Sequence, residues 1–497
     1  MPAILLQIVL APLVASLLIF VLRKAAPRAA GAIAATSLLY SLFLVGLAGK
    51  VVLAGGTIVE EYLLIAPGIQ VGLLADGLSL PTLAVINLLC VALSFYAMHY
   101  IDHRIEVLYA HESKEVQDAF FARFYYLFLL FPLGFFGVSL STNLAALYFF
   151  LEILTVTLYF LMAWFGYRDR VRVAFICLTW GLVSALFVIT GAIIAYSITG
   201  SFEIADLVKL AHTDKAGLVI GLFLVGLLAK LAIFPFHVWM PWVHAEHPTC
   251  IAGLLAVYAN LALYILVRTV VGPMFDDFKP FGPPLMVLAL ITMVYGSFLT
   301  MAQTDIKRLA ACSTISQIAY SVLGLGAMTV VSIEGGMFFF LSHIMGKTLF
   351  FSTAGIIVYT TGLRDMNQMG GLAKKMPATT VLFVFGAMML SGFPPFSSFT
   401  AEWIMFTGIF EQGVLSTPFG IIVGIGGILA ILLTVGYAFA GLRKIFFGPL
   451  SPAFEGKELK DPPLSMSIPL YIVAAASIFL GLYPKVLMDL LHSVIGA

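Results

Sequence analysis

The sequence predicts an all-α polytopic membrane protein of about fourteen transmembrane helices, and three observations predict it. Of its 497 residues, 61% are hydrophobic and 10% charged, with a mean hydropathy of +1.07. Soluble globular chains carry about 25% charged residues. A chain with so little charge cannot cover a water-facing surface of its size, which excludes a soluble enzyme. The apolar residues fall in runs of about 20, the length of helix that crosses a bilayer. The basic residues gather in every second connection between those runs.

In chain order the runs are 2–22, 30–53, 78–101, 122–139, 143–165, 172–199, 216–235, 249–268, 280–302, 309–327, 332–359, 377–397, 417–442 and 466–488. The first is long and lacks a small-residue cleavage site, so it reads as a span rather than a removed signal. The seventh ends at Pro235 and resumes over 237–246, so it is interrupted. The twelfth breaks at Gly392-Phe393-Pro394-Pro395 and continues over 399–412. The stretch 202–212 is amphipathic and is expected on the membrane surface. His103 and His111 lie among Asp102, Glu106, Glu112, Lys114, Glu115 and Asp118, which reads as a solvated or partner-facing polar loop at 102–122.

The loops number one to thirteen. Odd loops hold 18 of the 26 basic residues, even loops and the C-terminus hold 6, and Lys230 and Lys347 fall inside spans. By the positive-inside rule the odd loops are cytoplasmic and both termini face out. This expectation implies a multi-pass protein of the cell inner or plasma membrane. A net charge of +1 without a basic run leaves no footprint for nucleic acid. Cys90, Cys177, Cys250 and Cys312 sit in apolar segments without metal-ligand spacing and read as small buried hydrophobes. No metal site and no cofactor in this chain are expected.

Charges inside a bilayer cost several kcal/mol and mark ion pathways. Glu152 lies in span five, Lys230 in span seven, and Glu402 seven residues beyond Pro395. His343 and Lys347, at i and i+4 in span eleven, share one helix face. Each has a plainer alternative: a structural ion pair for Glu152 and Lys230, a snorkelling Lys347, an interfacial Glu402 beside Trp403, a His343 satisfying a neighbouring hydroxyl. His237, His244 and His247 follow the break in span seven. A zinc site is conceivable for them, but they are expected to line a wet surface or donate to backbone carbonyls.

The breaks at Pro235 and at Pro394-Pro395 lie five spans apart, and an odd offset inverts topology. The chain therefore reads as two inverted five-helix repeats, spans 4–8 and 9–13, each with one broken helix, as many transporters are built. The corresponding division is 1–121, 122–275, 276–447 and 448–497.

These segments together resemble the antiporter-like subunits of respiratory complex I, Mrp cation/proton antiporters and membrane-bound hydrogenases. The resemblance rests on Asp76-Gly-Leu-Ser-Leu-Pro81, Phe149-Phe-Leu-Glu152, Lys230 with Phe234-Pro-Phe-His-Val-Trp-Met-Pro-Trp-Val-His244, Gln303-Thr-Asp-Ile-Lys-Arg308, His343 with Lys347, and Ser391-Gly-Phe-Pro-Pro-Phe396. It covers nearly the whole chain. It implies that Glu152 pairs with Lys230 and that Glu402 is the distal carrier, a glutamate in M-type subunits and usually a lysine elsewhere. It also implies that the long lateral helix of L-type subunits is absent. Two positions depart from the family: Asn260 stands where span eight usually has a lysine, and Gln317 where span ten often has a histidine. The implied route is Glu152, Lys230, then Asn260 and Gln317 with water, then His343 and Lys347, and last Glu402.

The chain lacks a nucleotide loop, a cysteine framework for an iron–sulfur cluster and a plausible haem pair. Redox energy must therefore reach it from other membrane subunits, namely neighbouring antiporter-like subunits and a redox module. The translocated ion is the proton; sodium stays open, as does an Mrp-type Na⁺/H⁺ antiporter subunit. Two readings from other classes are a stand-alone secondary transporter of a small solute and a static scaffold.

Overall fold

The computed structural model describes residues 3–66, 69–411 and 418–496. The predicted first residues of spans one and thirteen lie outside them. Helices α1 (Ile4–Leu22) and α2 (Ala30–Leu53) lead into a hairpin of β1 (Ile58–Ala66) and β2 (Ile69–Ala75). Then follow α3 (Ser79–Leu108), α4 (Lys114–Phe128), α5 (Leu130–Leu140), α6 (Leu144–Phe165) and α7 (Arg170–Thr199). The first interrupted span is α8 (Ala216–Lys230) with α9 (Met240–Glu246). Next come α10 (Ala252–Leu266), extended by a π-turn Val267–Val271, and the short α11 (Phe275–Phe278). Then come α12 (Gly282–Met301), α13 (Ile306–Gly326) and α14 (Val330–Thr361). The second interrupted span is α15 (Pro377–Leu390) with α16 (Ser397–Phe410), and α17 (Pro418–Phe446), α18 (Leu464–Leu482) and α19 (Lys485–Ile495) complete the chain.

Among the described residues, twelve helical stretches are long and apolar enough to cross a membrane. Two shorter apolar helices, Ala216–Lys230 and Pro377–Leu390, occupy the places of predicted spans seven and twelve. The outer faces of the long helices carry bare apolar side chains such as Val14, Leu186 and Leu432, which an aqueous surface would not tolerate in such density.

The helical fold stands with one local addition, and two expectations need correction. The fold is all-α except for the β1–β2 hairpin, whose residues fall between spans two and three. The 102–122 stretch is not a loop. Helix α3 carries Asp102, His103 and Glu106 on to Leu108, and α4 already starts at Lys114. A helix leaving the apolar slab can continue into water, and Arg28 bridges Asp102 and Asp118 at 2.6 Å each across this end. The division at 121/122 thus falls inside α4. Span fourteen stops at Leu482, and α19 follows as a separate amphipathic helix because Pro484 interrupts the backbone ladder. The amphipathic 202–212 segment contains a short 3₁₀ turn, Ile204–Leu210, that buries Ile204, Leu207 and Leu210.

The core of the bundle is α10, α13 and α14. Every residue of the most apolar windows of Thr249–Val271 and Ile306–Gly326 is buried, and 94% of that of Val330–Thr361. Local chemistry fixes their ends. Asp305 accepts the Lys307 and Arg308 N–H groups at the start of α13, and Thr329 and Ser332 form a reciprocal cap at the start of α14. These enclosed helices hold Asn260, Gln317, His343 and Lys347, so side chains that lipid would reject lie inside protein.

At one end of the bundle the turn before α3 is pinned by Asp76. Its carboxylate accepts the Leu78 and Ser79 N–H groups and pairs with Arg268 of the π-turn at 2.6 and 2.7 Å. Burial alone would push the Asp76 carboxyl up, but the guanidinium and the two N–H groups hold it below the usual carboxylate range.

Candidate functional site

Both breaks are built so that the freed backbone finds partners. Helix α8 stops at Lys230 and the chain turns at Ala232, which takes a positive φ of 55°. The Ala229 carbonyl, released from the ladder, accepts the Trp239 indole N–H at 3.1 Å, and the Phe234 N–H donates to Thr292 Oγ1 at 3.1 Å. In the second break Gly392 has φ +63°. Any Cβ there would drive into the Glu402 carboxylate, so the glycine lets the loop close over that side chain. Ser397, first in α16, is tied at 2.8 Å to Ser342 of α14 and at 2.8 Å to Ser477 of α18. The Phe234–Pro235 and Pro394–Pro395 peptides are both cis.

Lys230 is buried on the last turn of α8, its Nζ 3.5 Å from the centre of the Tyr258 ring on α10. Tyr258 shares a 3.0 Å hydrogen bond with Thr155 of α6. Glu152 lies one turn before Thr155. It is only half-buried, its Oε1 has no hydrogen-bond partner, and it makes no ion pair within 4.0 Å among the described residues. Glu152 and Lys230 therefore bracket the Thr155–Tyr258 contact without touching.

In the middle, His343 Nδ1 and Asn260 Oδ1 are 3.1 Å apart, while the Asn260 amide N–H donates to the Ala256 carbonyl at 2.7 Å. Asn260 thus bridges α10 and α14. Lys347, one turn further on, points to another helix. Its Nζ donates to Ser313 Oγ at 2.5 Å and to the Ala310 carbonyl at 3.2 Å, both on α13.

Gln317 is not where the implied route had it. It lies beyond His343, donating to Thr434 Oγ1 at 3.1 Å and to Tyr437 Oη at 3.4 Å on α17. Tyr320 joins the same Thr434 at 3.2 Å and stacks on Phe339, which stacks in turn on His343. Glu402 is buried within electrostatic reach of Tyr320 and Tyr437. The order in space is Glu152, Lys230, Asn260–His343, the Tyr320–Gln317–Thr434–Tyr437 cluster, and Glu402.

Of the three break histidines, His237 keeps a little exposure, at 7%, and the other two are enclosed. His244 and His247 are wholly buried, their rings 5.8 Å apart. Among the described residues no nitrogen of either has a hydrogen-bond partner, nor has His343 Nε2 or His237 Nδ1. Polyfunctional rings stay buried this way because α9 folds inward behind the break, against Phe351 of α14. Among the described residues no group of three or more His, Cys, Asp and Glu side chains has the arrangement of a metal site.

Three charged groups escaped the sequence reading. Lys307, counted with the loops, is wholly buried. Its Nζ donates to the His247 carbonyl at 2.6 Å and lies 3.7 Å from the Tyr167 ring centre. Arg364 joins Glu246 of α9 at 3.2 Å to Asp305 at 2.8 Å. Glu334, buried on α14, pairs with His492 of α19 at 2.7 Å. Each sits near a span end, where hydropathy cannot separate a snorkelling charge from a buried one. Removing Arg364 strands the Glu246 carboxylate, which is 8% exposed on its side chain. Arg364→Ala is expected to lower stability by about 3–5 kcal/mol, measured as the denaturation midpoint of the detergent-solubilised protein.

Residues 141–430 match the family described as NADH:quinone oxidoreductase/Mrp antiporter, TM. The chain is 32% identical over 378 residues to NADH-quinone oxidoreductase subunit N of Desulforudis audaxviator, covering 72% of this chain and 74% of that one. It is 29% identical over 387 residues to NAD(P)H-quinone oxidoreductase chain 4-2 of Synechocystis sp., covering 77% of this chain and 66% of the relative's length. In fold it is similar to a chain in the structure of the Mrp complex from Dietzia sp., with a TM-score of 0.85 at 21% identity over 99% of this chain and 96% of that one.

Proposed function

This chain belongs to the NADH:quinone oxidoreductase/Mrp antiporter family, and we propose that it is a proton-translocating, antiporter-like membrane subunit of a redox-driven multisubunit complex. The single observation that carries this reading is the line of buried titratable and hydrogen-bonding groups from Glu152 to Glu402. A chain folded only to pack would not place Lys230, His343, Lys347 and Glu402 in its interior. The unpartnered nitrogens of His244, His247 and His343, and the buried hydroxyls of Ser321, Ser391 and Ser398, lie along or beside that line. Buried polar atoms are satisfied in folded proteins, and where protein supplies no partner, ordered water does. Water threaded among these groups is the medium a proton needs.

In this reading Lys230 gives up its proton when Glu152 no longer favours its charge. The proton passes Asn260–His343 and the Gln317 cluster and reaches Glu402. Lys347 biases the middle of the route. The closed His244–His247 pair, with His237 and Lys307 beside it, forms the access branch from the basic side. The two broken spans act as equivalents in an inverted repeat, with units at 122–275 and 276–447 flanked by 1–121 and 448–497.

Both ends of the line approach the side of the bundle. Glu152 neighbours Phe149, which is 61% exposed, and Glu402 neighbours Trp403, which is 68% exposed. That suits a subunit packed between others in the membrane: neighbouring antiporter-like subunits and a redox module that supplies the electrons. Glu402 supports the M-type branch. The distribution of basic residues supports a plasma or inner membrane location with both termini outside. The test is acidification of proteoliposomes holding the whole complex, driven by its electron donor in sodium-free medium. Proton uptake that vanishes without sodium would transfer the assignment to the Mrp-type reading.

A further inference from the structure

We propose that protons leave this subunit along α10, past Tyr264 and an Arg268–Asp76 gate, into a cavity beside the β-hairpin. This rests on the proton route proposed above and adds an outward branch from its Asn260–His343 step, open only while Glu402 holds the distal proton of the line. Asn260, Tyr264 and Arg268 are spaced four apart along α10 and its π-turn, so they share a face and span about 12 Å of rise. Asn260 touches His343 at the bottom of this ladder. Tyr264 donates its hydroxyl hydrogen to the Ser139 carbonyl at 2.6 Å. The Ser139 hydroxyl itself is buried at the same level, without a partner among the described residues. Above it, Arg268 Nε reaches the Tyr264 oxygen at 3.4 Å and its terminal nitrogens clasp Asp76.

The pair is buried, with side chains 12% and 8% exposed. Beyond it opens a cavity of about 630 Å³ walled by Ser141, Thr142, Glu203 and Arg268 among apolar residues of the hairpin end and α19. This end of α10 is opposite the Glu246–Arg364 cluster, which precedes the helix start at Thr249. A cavity at this end is therefore across the membrane from the basic side.

The two halves of the gate differ. Asp76 is fixed by the Leu78 and Ser79 N–H groups and by the Ser79 hydroxyl. Arg268 sits on a π-turn, a helix distortion frequent at functional sites. Guanidinium does not release protons, so Arg268 is a barrier and not a carrier. While it covers Asp76, its charge opposes a proton climbing past Tyr264 in either direction. When it swings toward Glu203 in the cavity, the Asp76 carboxylate accepts one proton from the ladder and releases the same proton to the cavity. The gate thus resets with no net chemical change. A mere staple between the α3 turn and α10 would hold the helices without influencing the passive movement of protons, and that difference decides the experiment.

The whole complex is reconstituted in vesicles as wild type, Arg268→Gln, Tyr264→Phe and Thr142→Cys, with Lys230→Ala as control. Arg268→Gln is expected to raise passive proton leak several-fold with the redox module idle. Tyr264→Phe, which removes one hydroxyl, is expected to slow pumping several-fold. A charged, membrane-impermeant methanethiosulfonate added from the hairpin side to Thr142→Cys is expected to stop pumping. Should Arg268→Gln fail to assemble, the other two variants decide. Native leak and native pumping in the variants, with Thr142→Cys fully labelled, overturn the exit while a dead Lys230→Ala control keeps the route. A control that still pumps overturns the route itself.

Discussion

Lys230→Ala is expected to abolish proton translocation while leaving the complex assembled. Lys230 is the buried cation at the first break, held over the Tyr258 ring, a contact worth about 2 kcal/mol when desolvated. Two unit charges about 8 Å apart at an effective dielectric of about 20 interact by roughly 2 kcal/mol. Moving one charge through 100 mV takes about 2.3 kcal/mol. Opening and closing one Glu152–Lys230 pair therefore provides work of the order one proton needs against such a potential, and a larger gradient needs several such steps in series. Without the ammonium that work disappears. Pumping per electron should fall by at least about 100-fold, the effect of adding about 2.7 kcal/mol to the barrier. Glu152→Ala should do the same, because Glu152 sets when Lys230 holds its proton. Vesicle acidification measured against electron-transfer rate checks both. Normal pumping by both variants would leave the buried charges without a purpose and restore the scaffold reading.

The parts of this arrangement legible in the sequence were those that hydropathy punishes. A charge in the centre of an apolar run stands out, and so Lys230, His343, Lys347 and Glu402 are legible in the sequence itself. Proline in mid-span stands out equally, and both breaks fall where Pro235 and Pro394-Pro395 put them. What stayed hidden depended on tertiary neighbours. Nothing in the run around Gln317 tells that it faces Thr434 and Tyr437 instead of His343. The choice is made by how α13 rotates against α17. Lys307 and Arg268 look like ordinary loop or terminal charges, and only packing against Tyr167 and Asp76 shows them to be enclosed. For the three histidines after the first break, the sequence leaves a wet surface and a backbone carbonyl equally open as surroundings. The chain folds α9 back into the bundle. Glu152 went the other way: an acid in mid-span looks hidden, yet α6 turns it half toward the lateral surface, where a neighbouring subunit can meet it.

The second large effect is expected at the other break, and there the backbone matters as much as the acid. Glu402→Gln keeps the shape of the side chain and removes its ability to take and release a proton. It should stop translocation as completely as loss of Lys230, with assembly intact. Gly392→Ala keeps Glu402 and disturbs it. The new methyl group would occupy the space of the carboxylate, and a φ of +63° costs a non-glycine residue roughly 1–2 kcal/mol. The loop must then shift or push Glu402 toward Trp403 and the bundle surface. Pumping should drop by about ten-fold or more, the result of a barrier raised by about 1.4 kcal/mol. The two variants separate chemistry from placement. If Glu402→Gln is inactive and Gly392→Ala normal, the carboxylate tolerates displacement and the glycine serves only the turn. If Gly392→Ala is inactive and Glu402→Gln normal, the second break is a structural closure, and the proton line ends at the Gln317 cluster.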